Sequence, residues 1–214
     1  MLKLWTASVR MEKATLSEKS VIRVSRAATA DRHQGIALER AGPTHGDIEM
    51  TQPTSLLLIK AVLLSGLALW LAVIVLNNVV AFRNGVFAVG MLMGMQLFDQ
   101  EPPIRTPLLS RRVTNAVWHR MVFSFVLVME VATMMLLAAA AIMLIGTFFG
   151  LSDGAAAMIW ANPALAAFIA LSLIMLLGGA WFAYYVRQET MQITHFILIG
   201  LGVAGTLLVN MPMQ

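Results

Sequence analysis

The sequence predicts an all-α integral membrane protein, a four-helix bundle, and three observations carry that prediction. Of 214 residues, 59% are hydrophobic and 12% charged, and the mean hydropathy is +0.78. A soluble globular domain carries roughly 25% charged residues, so this chain has too little polar surface to cover a soluble fold. Four apolar runs are long enough to cross a bilayer. Cysteine is absent, which excludes a secreted disulfide scaffold, iron–sulfur clusters and thiolate zinc sites.

The N-terminal stretch differs from everything after it. Residues 1–55 hold 14 of the 26 charged side chains, eight basic and six acidic. They follow no sustained apolar period, and Asp31–Gly35 and Gly42–Gly46 would interrupt any helix. A secretory signal needs an apolar core near the start, and none is present. The six acids argue against a mitochondrial transit peptide. Two readings stay open for this polar extension, 1–55: an over-extended start ahead of a true one at Met50, or a disordered tail. His33 and His45 fall in it and are given no role.

The spans follow in order: Leu56–Val80, Trp118–Phe149, Ala161–Val186 and Met191–Val209. Each reaches or nearly reaches the ~20 residues that a helix needs to cross the hydrocarbon. Joined by short connections, they form an antiparallel bundle over 56–214. Trp118, Trp160, Trp181, Tyr184 and Tyr185 lie near span ends, as an aromatic belt requires. With side A where span one begins and side B opposite, the long loop 83–118 and the turn 187–190 lie on side B. The loop 150–160 and the C-terminus lie on side A. Within the long loop, Gly85–Phe98 reads as a short interfacial or re-entrant helix ended by Pro102, Pro103 and Pro107. Its Met91, Met93 and Met95 suit Cu(I) in principle, but the chain has 16 methionines, and apolar packing is the simpler reading. Six arginines near the membrane on side B point that side to the cytoplasm if the chain starts at Met50. The basic residues of the extension pull the other way.

Polar residues inside the spans are the informative ones. Glu130 lies 12 positions into span two, roughly 18 Å from Trp118, near mid-bilayer. A carboxylate there should face the bundle and have a partner. His119, Phe123, Val126, Glu130, Thr133 and Leu137 follow 4-3-4-3-4 spacing, one stripe of a helix. Asn77 and Asn78 end span one on side B, and Gln192, Thr194 and His195 open span four there. A side-B polar pocket of Asn77, Asn78, His119, Glu130, Trp181 and Gln192 follows. Its residues serve either as helix–helix hydrogen-bonding glue or as a proton or ligand site. His119 and His195 lie on different spans at similar depth, as the two ligands of a haem would. Gly178, Gly179, Gly200, Gly202 and Gly205 read as places of close helix approach.

No phosphate-binding loop, nucleophile elbow or zincin pattern occurs, so neither an enzymatic activity nor a cofactor is expected. No basic patch interleaves with aromatics, which argues against nucleic acid as a partner. The partners expected are the lipid bilayer and a larger membrane complex or a second copy.

Several short elements also resemble a known family when taken in order. Span one ends in Asn77-Asn78, span two opens with His119-Arg120 and carries Glu130, span three ends in Gly178-Gly179-x-Trp181-Phe182, and Gln192 and Phe196 open span four. This pattern over residues 56–210 resembles a bacterial family of predicted small integral membrane proteins, domain of unknown function 2165. The family's acidic-aromatic pair after Asn-Asn is replaced here by Ala81 and Phe82, and its polar loop segment by the Met-rich run. The chain reads as a divergent member. The resemblance implies a small bacterial inner-membrane protein that starts just before span one. It carries over no activity, and His195 has no counterpart in its pattern.

Three functions follow as expectations. The first is a non-enzymatic accessory or structural membrane protein. The second is a small transporter or proton-coupled channel using Glu130 and His119. The third is a haem-binding electron-transfer anchor using His119 and His195.

Overall fold

The computed structural model describes residues 52–212. The expectations for residues 1–51, His33 and His45 included, lie outside the described residues. Five α-helices follow one another: α1 (Gln52–Val80), α2 (Phe82–Met93), α3 (Ala116–Phe148), α4 (Gly154–Trp181) and α5 (Glu189–Val209). Three short 3-10 turns, Gln96–Asp99, Pro107–Arg111 and Tyr184–Val186, lie in the connections. By length and apolarity α1, α3, α4 and α5 are membrane spans, and α2 is too short to be one. The chain is an all-α, four-span membrane bundle.

Local chemistry sets the helix ends. Asn115 and Asp153 each accept a hydrogen bond from the backbone N–H two residues on, capping α3 and α4. The Asp153 cap starts α4 at Gly154, seven residues before the start expected at Ala161, and Pro163 is carried inside the helix. Spanning helices tolerate proline because neighbours re-satisfy the freed backbone. α4 also ends earlier than the expected Val186. Ala183 takes a left-handed conformation, φ 52°, and the chain folds back so that Tyr184 lies on Gly179. A Cβ there would sit 2.6 Å from the Tyr184 ring, so only glycine allows the fold-back. α1 begins at Gln52 and takes in Gln52–Ser55, read from sequence as part of the polar extension.

Consecutive spans pack on one another, α1 on α3, α3 on α4 and α4 on α5. The main core joins Leu57–Leu71 of α1, Leu137–Leu144 of α3, Ala157–Phe168 of α4 and Val209 of α5. It is built from leucine and alanine, with Phe168 and Val209, and occupies the side-A half. A second, small cluster on side B joins Met95, Phe98 and Ala183 with Ile104, Leu108, Leu109 and Phe182.

The short helix of the long loop is present, but shifted. It ends at Met93, before Gly94 and a left-handed Met95 at φ 47°, and not at the prolines. It lies against α3. Phe82 meets the Phe123 ring edge-on at 5.1 Å, Gly85 sits on Phe123, Gly90 on His119, and Val113 N–H donates to the Met93 carbonyl at 3.0 Å. These contacts advance along α2 as they retreat along α3, so the two run antiparallel. α3 has 33 residues, ~50 Å at 1.5 Å per residue, and α2 flanks its first part as α1 flanks its remainder.

Candidate functional site

The stripe read from the sequence of α3 is its buried face. His119, Phe123, Glu130, Thr133 and Leu137 are buried and Val126 is half-buried. Glu130 is 4% exposed. Its Oε2 accepts a hydrogen bond of 2.7 Å from Asn78 Nδ2. Asn78 lies in the last turn of α1, so the acid is level with the end of the first span and beside the break that starts α2. One turn on, the Thr133 hydroxyl is fully buried and has no hydrogen-bond partner.

The other residues singled out in the sequence occupy different places. His119 Nε2 faces the Val113 carbonyl at 2.8 Å. That acceptor requires the proton on Nε2. Its Nδ1 lies toward Gly90, where a Cβ would approach to 2.8 Å. Asn77 is exposed and Gln192 half-buried. Trp181 is 58% exposed, and the Arg111 guanidinium lies 4.4 Å over its ring and donates to its carbonyl at 3.1 Å. The structure therefore joins Asn78 and Glu130 directly, sets His119 further along the same face, and puts Trp181 on the outside under an arginine.

His195 is buried with its Nδ1 3.2 Å from the Tyr184 hydroxyl, the two rings stacked at 24°. Burial pushes the Tyr184 phenol above its ordinary range, so it keeps its proton. The two histidines proposed from sequence as a haem pair thus each hold another partner. Among the described residues no three His, Asp or Glu side chains gather as a metal site would need. A cavity lined by Met91, Met95, Phe98, Phe182, Tyr184 and Arg187 has room for about one water molecule. It lies under the long loop and is not lined by Glu130.

The glycines divide. A Cβ on Gly202 would lie 2.5 Å from Ile169, and one on Gly205 3.3 Å from Leu63 and from Leu165. These two bring α5 onto its neighbours. Gly179 makes room for Tyr184, while Gly178 and Gly200 have nothing within 4 Å.

Sequence reasoning missed two groups. Lys60, a charge near the start of α1 on side A, is 1% exposed and donates to the Met211 carbonyl at 2.8 Å. Asn162 and Asn210 exchange hydrogen bonds of 3.2 and 2.7 Å between α4 and the end of α5. Only the antiparallel register, which no local motif encodes, brings these residues together. The side-B arginines read as topology markers in the sequence, yet three of them tie the loop in place. Arg112 pairs with Asp99 at 2.8 Å, Arg111 holds Trp181, and Arg187 donates to the carbonyls of Gln100 and Pro102. The long loop and the α4–α5 turn thus hold each other by one arginine from each side.

No curated protein and no solved structure matches the chain. The family model described as predicted small integral membrane protein (DUF2165) matches residues 56–212. That stretch takes in all but the first turn of α1, the loop helix and the three later spans. With four helices apolar enough to span and the paired residues Asn78 and Glu130 both inside the match, the chain belongs to this family of predicted small integral membrane proteins.

Proposed function

We propose that the protein is a non-enzymatic accessory or structural protein of the bacterial inner membrane, acting by association with a larger membrane complex or with a second copy. The observation that supports this reading is the Asn78–Glu130 hydrogen bond. It makes the acid inside the spans a tie between α1 and α3, which is how polar groups serve helix association in lipid. The other buried polar side chains fit the same use. Lys60 holds Met211, His119 holds Val113, and His195 holds Tyr184. The test is deletion of the gene, followed by quantification of the cell's membrane complexes. Loss of one complex, restored equally by the wild-type chain and by Glu130→Gln, supports the accessory reading. Unchanged complexes throughout would sink it.

A second reading, a small transporter or proton-coupled channel centred on Glu130, draws on the unpartnered Thr133 hydroxyl one turn away. It predicts substrate or proton flux in vesicles that Glu130→Gln abolishes while the variant stays folded.

A further inference from the structure

We propose that Glu130 is a proton-binding site, a neutral carboxylic acid paired face to face with the side-chain amide of Asn78. The inference goes beyond both readings above, because it fixes the state of the acid whatever use is made of it.

The argument begins with charge balance. Glu130 is buried, and the partner of its carboxyl group is a neutral amide. An ionised carboxylate out of water is very costly unless an opposite charge lies beside it. The three helices packed on α3 are α1, α2 and α4. α4 contains no ionisable residue, α2 contains Arg83, and α1 contains Lys60. Arg83 is exposed. Lys60 precedes Asn78 by 18 residues, ~27 Å along the helix, and its ammonium is held by Met211. On α3 itself, His119 and Arg120 lie about three turns from Glu130. His119 is engaged with Val113, and Arg120 is exposed. On α5, His195 is engaged with Tyr184 and Glu189 is exposed. Thr133, one turn away, is neutral. Among the described residues the one ion pair is Arg112 with Asp99. Nothing that faces Glu130 supplies a balancing charge, and a proton does.

The partner's chemistry agrees. A primary amide has a donor and an acceptor side by side, and so does a protonated carboxyl group. Asn78 Nδ2 already donates to Oε2. A carboxylate can take only that bond. A carboxylic acid can also return one, from its O–H to the amide oxygen of Asn78, so the proton completes the pair as well as removing the charge.

The test is infrared absorption of the purified protein in a detergent that carries no ester carbonyl, at about pH 8, where ordinary carboxyl groups are ionised. The other acids among the described residues, Asp99, Glu101, Asp153 and Glu189, are exposed. A carbonyl band of a protonated carboxyl group should appear in the wild type and vanish in Glu130→Gln. In Asn78→Leu the band should persist at higher wavenumber, because its carbonyl has lost a donor. Absence of the band in folded wild-type protein overturns the proposal, and so does its survival in Glu130→Gln. If Glu130→Gln fails to fold, the wild type and Asn78→Leu decide. No band in the wild type, or a band unmoved by Asn78→Leu, refutes the pair.

Discussion

The two ends of the bundle are built differently. On side A the spans meet through leucine and alanine, with Leu64, Leu137, Ala140, Leu144, Ala157, Ala161, Ala164 and Leu165 fully buried. On side B the same helices, with α2 and the loop, meet through Asn78–Glu130, His119–Val113, Tyr184–His195 and an arginine from each side of the loop–turn contact. Lipid tails are as apolar as leucine, so exclusion of water does not hold spans together; packing and hydrogen bonds do. Side A relies mainly on packing, with Lys60–Met211 and Asn162–Asn210 as its hydrogen-bonded ties at the rim, and side B mainly on hydrogen bonds. Side A should therefore answer to volume, and side B to the removal of single polar atoms.

Leu137 and Thr133 lie one turn apart on the same face of α3; the first tests the volume half of this contrast, and the second, a polar atom with no partner, is its control. Leu137→Ala leaves a cavity in the side-A core and should cost about 2 kcal/mol. That is the low end for such a change, because the transfer contribution is small when the alternative environment is lipid. Thr133→Val keeps the shape and removes a buried hydroxyl without a partner, and should be neutral or stabilise by up to about 1 kcal/mol. Equilibrium unfolding in detergent reads both. A destabilising Thr133→Val would mean that the hydroxyl has a use.

Glycines sharpen the contrast at the next level. Gly85→Ala would push a Cβ to 2.0 Å from Phe123, and Gly202→Ala to 2.5 Å from Ile169. Each should cost about 1–3 kcal/mol through overpacking. Gly178→Ala and Gly200→Ala meet open space and should stabilise by about 0.5–1 kcal/mol, since alanine is the better helix former. Thermal unfolding followed by circular dichroism separates the pairs. A cost at Gly178 or Gly200 would mean that another molecule packs there.

How much of this was legible in the sequence depends on the range of the interaction. The four spans and the buried stripe of α3 were readable, because apolar length and a 3.6-residue period are properties of one segment. The pairing of Glu130 with a side-B asparagine was expected in kind. Its depth was not, since a count from Trp118 could not show that Asn78 ends α1 at the same level. Trp181 is placed in the pocket by the sequence reading, but it faces outward under Arg111, and a residue's position in the sequence does not tell which way the end of a span faces. Lys60 and Asn162–Asn210 depend on register between helices far apart in sequence, where no local pattern exists. The arginine contacts on side B were hidden behind a simpler rule, the one that counts loop charges.

Those contacts give a smaller test. Arg187→Ala removes the donor to Gln100 and Pro102 and should cost about 1 kcal/mol. The loss should show as faster hydrogen exchange confined to the loop after α2. Arg187→Lys should rescue it incompletely, because an ammonium lacks the planar fork of the guanidinium.

Asp99 gives the smallest effect and the most specific sign. The hydrogen bond from Arg112, aided by the charges of Arg112 and Arg105, holds its carboxyl below the usual range. A carboxyl lowered in the folded state contributes stability above its unfolded value, and that contribution is lost as pH falls through the lowered one. Protection of the loop backbone, measured against the intrinsic exchange rate at each pH, should therefore fall under acid at Asp99 and its neighbours before the spans respond. Asp99 is exposed, so solvent screening keeps the change small. Asp99→Asn should abolish this acid step and leave exchange at neutral pH slightly raised. An acid response of equal size in Asp99→Asn would move its source to another group. The side-B assembly would then rest on Arg111 and Arg187, whose backbone acceptors do not titrate.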